Sequence, residues 1–141
     1  MGTTPDVRRP AAVVAVCALA CATAAGCGTG DRGRDAAAVA ERFSAALERD
    51  DGATACEELT AAAASAVEQQ EKAPCDEAIL RLDLPRGTVP GKSRVYLQSA
   101  SVELGEGDAT FLDEGPGGWK VSAAGCTPNA AGQPYDCELE G

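Results

Sequence analysis

Acid–base chemistry in this chain would depend on carboxylates, because the sequence contains no histidine. Histidine is the usual general base near neutral pH, so its absence excludes Ser–His and Cys–His triads and histidine-based metal sites. Three carboxylates, Glu103, Asp108 and Asp113, lie in stretches with strand-like alternation. Any catalysis would use one of them, but a solvated strand end is the commoner place for such a residue.

Two polar side chains share the alternation of the same region and could stand at the mouth of a pocket. Tyr96 and Gln98 have the same parity as Ala100, which places them on one face of a predicted strand. The candidate pocket therefore consists of Tyr96, Gln98, Glu103 and Asp113. The alternative is that these residues occupy exposed edge positions. We expect no catalytic, cofactor-binding or metal-binding site.

The cysteines carry the clearest chemistry in the sequence. Cys56, Cys75, Cys126 and Cys137 form an even set, which predicts two disulfides in an exported chain. Three pairings are possible, and we favour 56–75 and 126–137 because each pair lies within one local unit. Zinc is disfavoured because these cysteines contain no C-x₂₋₄-C pair. The acidic turns at residues 50–52 and 106–108 also lack the ligand spacing of a calcium loop.

The N-terminal region has the organisation of an export signal. Arg8 and Arg9 precede an uncharged run over residues 11–25, and the small residues Ala24-Ala25-Gly26 precede Cys27. This ending resembles the lipobox of bacterial lipoproteins, although Ala24 stands where Leu is usual. The resemblance implies a signal peptide over residues 1–26, with Cys27 as the lipidated mature N-terminus carrying fatty acyl chains such as palmitate.

Two other interpretations of this region stay open. Residues 11–25 could form an uncleaved membrane anchor, but 15 residues fall short of the ~20 that a spanning helix needs. Cleavage without lipidation would instead release a secreted protein. Cys17 and Cys21 lie within the signal on either of the cleaved alternatives. The twin-arginine pair is followed by Pro10, so the export route is undetermined.

Charge limits the partners of the mature chain. The full sequence has 12 Lys and Arg against 22 Asp and Glu. Removing residues 1–26 takes away Asp6, Arg8 and Arg9 and leaves 115 residues with a formal charge of −11. Such a surface is repelled by phosphate backbones and anionic headgroups. We expect no nucleic-acid partner, and we expect membrane attachment through a lipid on Cys27.

The elements that must position these residues change in type along the chain. Residues 28–34 predict a flexible tether, and Asp35 is a candidate N-cap for a helix ending near Arg49. Thr54 and Glu57 form a capping-box pattern that predicts a second helix as far as residue 70. A short third helix is predicted over residues 75–82.

The second half predicts an antiparallel meander. After the Pro- and Gly-rich residues 84–92, strands are predicted over residues 94–104, 108–113 and 118–124. Trp119, Val121 and Ala123 are predicted to share one face. The fold class is therefore α+β, with two to three N-terminal helices packed on a curved antiparallel sheet of at least three strands, in one domain over residues 35–141.

The stretch 118–126, together with Tyr135–Cys137, is similar to small exported lipoproteins of high-GC Gram-positive bacteria whose domain is nuclear-transport-factor-2-like, also called polyketide-cyclase-like. The resemblance spans residues 35–141. It implies a curved sheet around a long helix, enclosing a cone-shaped pocket. That fold hosts enzymes, binding modules and scaffolds, so it implies no single function.

The sequence therefore predicts an exported, lipid-anchored domain at the outer face of the cytoplasmic membrane. Its expected role is non-catalytic binding of an unidentified small ligand or protein. The alternatives are an enzyme that uses a strand carboxylate in the cone and an unlipidated secreted protein.

Overall fold

The computed structural model describes residues 1–2, 29–105, 107–129 and 135–141. Cys17, Cys21, Cys27 and almost all of the predicted signal peptide therefore lie outside the described residues. The fold is α+β, as predicted, with helices packed against a five-stranded antiparallel sheet. The helices are α1 (Thr29–Glu48), α2 (Gly52–Glu57), α3 (Ala61–Glu71) and α4 (Cys75–Ala78), which continues into a 3-10 turn at Ile79–Arg81. The strands, paired in chain order, are β1 (Pro90–Tyr96), β2 (Ser99–Leu104), β3 (Asp108–Gly115), β4 (Gly118–Thr127) and β5 (Asp136–Glu140).

Helix α1 lies against the sheet and begins earlier than the sequence predicted. Its apolar stripe is fully buried and follows the helical period, with Ala36, Ala40, Phe43 and Leu47. Residues 29–34, predicted to be a tether, are helical. Tertiary contacts outweigh the poor helix propensity of this glycine-rich stretch: Arg32 binds the sheet, and Gly33 approaches β1 so closely that a Cβ there would lie 2.9 Å from Ser93 Oγ.

The second predicted helix is two helices. Asp51 caps α2 by accepting a hydrogen bond from the Thr54 amide. Interaction with the Thr54 hydroxyl, together with this amide bond, lowers the pKa of the Asp51 carboxyl. Thr60 caps α3 through Ala63. Between them, Val121 of β4 donates to Glu58 O at 2.8 Å, and its carbonyl accepts from Thr60 N at 2.9 Å. These backbone bonds to the sheet interrupt the predicted helix, and no local propensity signals them.

The predicted strand over residues 94–104 is a hairpin. Tyr96 pairs with Ser99, and Leu97 and Gln98 form the two-residue turn. Leu97 adopts φ = 53°, a left-handed conformation that usually selects Gly or Asn. Because Leu is atypical at such a position, the sequence did not predict the turn. On β2, Ala100, Val102 and Leu104 alternate with less buried residues and are all buried.

An irregularity in β4 changes the face assignment of Ala123. Phe111 pairs with Ala123 but Leu112 pairs with Val121, so Ser122 is an extra residue in the ladder. Trp119 and Val121 belong to the main core as predicted. Ala123, predicted on the same face, instead lies in a small cluster with Cys126 and Ala109.

The segment between the helices and the sheet is held by polar contacts to α1. Ser44 is fully buried, and its Oγ accepts a hydrogen bond from Thr88 N at 2.9 Å. Arg86 donates to Leu47 O at 2.6 Å and to Leu80 O at 2.9 Å. The bond to Leu47 O satisfies a carbonyl in the last turn of α1, and together these contacts fix the entry to β1.

Both predicted disulfides are present. Cys56–Cys75 joins α2 to α4, and Cys126–Cys137 joins β4 to β5. Cys126 and Cys137 are direct cross-strand partners, and the tail beyond them is also anchored by the fully buried Leu139. The helix layer and the C-terminal strand are therefore each cross-linked once.

One buried polar atom lacks a partner: within the described residues, Thr110 Oγ1 makes no hydrogen bond, although Thr110 is fully buried. A buried hydroxyl without a partner costs about 1–3 kcal/mol. We expect Thr110→Val to keep the shape and to raise the free energy of unfolding by about 1 kcal/mol. Urea unfolding checks this, and a loss of stability would reveal an unseen partner. Ser44→Ala is the matched control, because it removes a satisfied hydroxyl and should destabilise.

Candidate functional site

The helix-facing side of the sheet is filled by side chains. Val102, Leu112 and Val121 are fully buried and belong to one core cluster with Phe43 and Leu47 of α1. Trp119 joins this cluster and is 6% exposed, so it is a core residue rather than a ligand platform. The resemblance implied an open pocket between helix and sheet; in the described residues this space holds apolar core.

The four candidate pocket residues do not converge. Tyr96 and Gln98 are exposed at the tip of the β1–β2 hairpin. Glu103 lies on the opposite face of β2 from Val102 and pairs with Arg94 at 3.2 Å. Asp113 is exposed and accepts a hydrogen bond from Ser99 Oγ at 2.8 Å. Since Glu103 and Ser99 are four residues apart on one strand, about 13 Å separates the two carboxylates.

Asp113 does line a cleft, on the sheet face that the helices leave uncovered. This outer-face cleft has a volume of about 360 Å³ and also includes Phe111, Tyr135 and Cys137. The rings of Phe111 and Tyr135 meet edge to face with centroids 5.1 Å apart. Phe111 and Asp113 therefore share a face, and it faces away from the helices.

A second cleft is acidic, and of its carboxylates only Asp108 was a candidate from the sequence. It has a volume of about 540 Å³, and its carboxylates are Asp83, Asp108, Asp136 and Glu138. They come from three segments that are far apart in the sequence, so no local spacing predicts that they lie together. Within the described ranges no group of three or more acidic or cysteine side chains is arranged to hold a metal ion. The acidic cleft is a negatively charged surface with no metal-binding group among the described residues.

A third cleft, of about 440 Å³, lies beside α1 and the β3–β4 turn. Its cations already have hydrogen-bond partners: Arg42 donates to both oxygens of Glu58, at 2.8 and 3.1 Å. These hydrogen bonds raise the pKa of the Arg42 guanidinium. Lys120 Nζ donates to Glu57 O at 2.6 Å. Because these cations already have hydrogen-bond partners, they contribute little to binding an anionic ligand.

The N-terminal turns of α1 meet the sheet at this same end. Arg32 donates to Leu97 O at 2.6 Å and forms an ion pair with Glu114. Its guanidinium carbon also lies 5.3 Å from the centre of the Trp119 ring, a cation–π distance. Arg32 therefore joins the start of α1 to the β1–β2 hairpin tip.

Among the residues that the structure describes, no helix combines the length and hydropathy needed to cross a bilayer. The uncharged run at residues 11–25 lies outside this part of the chain. Comparison with family models, with curated proteins and with solved structures gave no match to this chain.

Proposed function

We propose that this chain is a lipid-anchored extracytoplasmic domain that binds a small ligand or a protein partner without catalysis. One observation supports the proposal most directly: the four cysteines that follow Cys27 form two disulfides among themselves. Disulfides are typical of oxidising compartments. None of the four is available to pair with Cys27, whose sequence context resembles a lipidation site.

The non-catalytic part of the proposal rests on the carboxylates. Glu103 is engaged by Arg94, and Asp113 is exposed and bonded to Ser99. A general acid or base at neutral pH needs a perturbed environment, such as burial or a like charge close by. Neither residue lies among the buried core side chains, and the chain has no histidine to replace them.

The resemblance to the cone domain is kept as part of the proposal. A long helix across one face of an antiparallel sheet supports it, since α1 contacts β1, β2, β3 and β4. The filled helix-facing side directs the search for a binding site to the three open clefts. Of these, the outer-face cleft has the most apolar character, with Phe111 and Tyr135 together.

The anchor is tested by Cys27→Ser in the full-length protein expressed in a bacterium that processes lipoproteins. A diacylglyceryl group on one sulfur supplies two acyl chains, which hold a protein stably to a bilayer. We expect wild-type protein in the membrane fraction, with an intact mass that begins at Cys27 and includes lipid. We expect the variant in the soluble fraction, folded and with both disulfides formed.

The matched control is Cys21→Ser, which changes a cysteine inside the predicted signal and should leave fractionation and mass unaltered. Wild-type protein that starts elsewhere, or carries no lipid mass, would identify a secreted protein instead. Retention of Cys27→Ser in the membrane would show that residues 11–25 are an uncleaved anchor.

A further inference from the structure

The β1–β2 hairpin tip exposes two large apolar side chains side by side. Tyr96 is 78% exposed and Leu97 is 73% exposed. Soluble domains seldom place adjacent large apolar residues at a turn, where polar residues and glycine are usual. Leu97 also adopts φ = 53°, so a bulky side chain occupies a backbone position suited to Gly or Asn.

The tip lies beside the point where the chain leads to the proposed anchor. Arg32 Nη2 is 2.6 Å from Leu97 O, and Arg32 is three residues into α1. A helix rises 1.5 Å per residue, so Arg32 is about 5 Å along the axis from Thr29. Cys27 is two residues before Thr29, a span of at most about 7 Å of extended chain.

These lengths place the hairpin tip close enough to the lipidated Cys27 to reach the headgroup layer of the bilayer. The interfacial layer on each side of a bilayer is roughly 5–8 Å thick. A tip held within about 10–20 Å of the lipidated residue can therefore reach that layer without unfolding any element. Tyrosine is favoured there because its ring is apolar and its hydroxyl can stay hydrated.

The distribution of charge fits the same orientation. The acidic cleft lies at the other end of the strands, since Leu104 pairs with Asp108 whereas Ser99, next to the tip, pairs with Asp113. At the tip end Asp31 and Glu114 are in ion pairs with Arg34 and Arg32, whereas Asp113 is exposed and accepts a hydrogen bond from Ser99. An anionic leaflet repels the far end more strongly than the tip end.

We propose that Tyr96 and Leu97 form a membrane contact that enters the interfacial layer of the anionic bilayer and fixes the orientation of the anchored domain. This inference rests on the proposed lipid anchor. The two side chains are too small to hold the protein alone, so the lipid supplies the affinity and the tip supplies the orientation.

Brominated-lipid quenching tests the contact in the full-length lipidated protein. Tyr96→Trp places an indole at the tip, and Trp119 gives the same buried background in every sample. The protein is reconstituted in vesicles of phosphatidylcholine and phosphatidylglycerol, with the phosphatidylcholine brominated near the headgroup. We expect the emission maximum of the added indole to shift to shorter wavelength on membrane contact. We also expect its emission intensity to be lower in brominated than in unbrominated vesicles.

Val89→Trp is the matched control. Val89 is equally exposed, at 79%, and precedes β1 at the end away from the tip. We expect its added indole to keep its emission in brominated vesicles. Adding Leu97→Asn to Tyr96→Trp should reduce quenching while preserving the fold, because Asn tolerates the left-handed conformation.

The intact mass and vesicle co-flotation of each sample separate the two proposals. In one outcome the protein carries lipid mass and floats with the vesicles, but Tyr96→Trp emits equally in brominated and unbrominated vesicles. That result would contradict the membrane contact and would support the lipid anchor. A protein without lipid mass would contradict the lipid anchor, and also the membrane contact, because the contact depends on that anchor. Equal quenching of Val89→Trp and Tyr96→Trp would show that the domain lies on the bilayer without the proposed orientation.

Discussion

Replacing Phe43 by Ala is expected to lower the free energy of unfolding by about 3–5 kcal/mol. Among the residues that the structure describes, Phe43 is the largest fully buried side chain, and it lies on α1 in the main core cluster. That cluster includes many alanines, which are too short to fill a cavity of that size. Against a typical stability of ~5–15 kcal/mol, this single change removes a large share.

Urea unfolding followed by far-ultraviolet circular dichroism measures the effect. Phe43→Leu refills much of the volume and should recover more than half of the loss. Glu41→Ala is the matched control on the same helix, since Glu41 is exposed and should change stability by less than about 0.5 kcal/mol. A loss below about 1 kcal/mol for Phe43→Ala would mean that α1 is not packed as described.

Removing either disulfide is expected to cost roughly 3 kcal/mol, and removing both should bring the domain close to unfolding. The cross-linked residues are 19 apart for Cys56–Cys75 and 11 apart for Cys126–Cys137. Loop-closure entropy grows slowly with length, so the two costs should be similar. Double replacement of each pair by Ala avoids leaving a free thiol.

The two variants should differ in what they release. Cys126→Ala/Cys137→Ala keeps β5 attached through Leu139 and through the amide of Gly141, which donates to Ser122 O at 3.0 Å. Cys56→Ala/Cys75→Ala loosens α2 from α4. Hydrogen exchange can show which element loses protection in each variant, and thermal unfolding measures the loss of stability. Free thiols in the wild-type protein, or an unchanged melting temperature in both variants, would contradict this prediction.

Periodicity predicted the element types well where the signal was local, and the α+β class, the antiparallel meander and both disulfide pairs were confirmed. Both capping predictions were wrong, because α1 begins before Asp35 and Asp51 rather than Thr54 caps α2. The errors came from long-range contacts. Val121 interrupts the second predicted helix through backbone hydrogen bonds, and Arg32 with Gly33 extends α1 into a glycine-rich stretch.

The candidate site was less predictable because face assignment depends on register. Leu97 turns a predicted single strand into a hairpin and moves Tyr96 and Gln98 out of line with Ala100. The extra residue at Ser122 moves Ala123 to the other face. A change of one residue reverses every side chain that follows, so a single atypical turn removed Tyr96 and Gln98 from the predicted pocket.

The two edge strands bear on how copies behave when they are crowded in two dimensions. β1 begins with Pro90, which has no amide to donate, and its pairing is irregular between Pro90 and Ser93. β5 presents the exposed carboxylates Asp136, Glu138 and Glu140 along five residues. Irregular pairing on one edge and like charges on the other disfavour edge-to-edge sheet growth. Copies of the domain brought close together would therefore resist joining through their sheet edges.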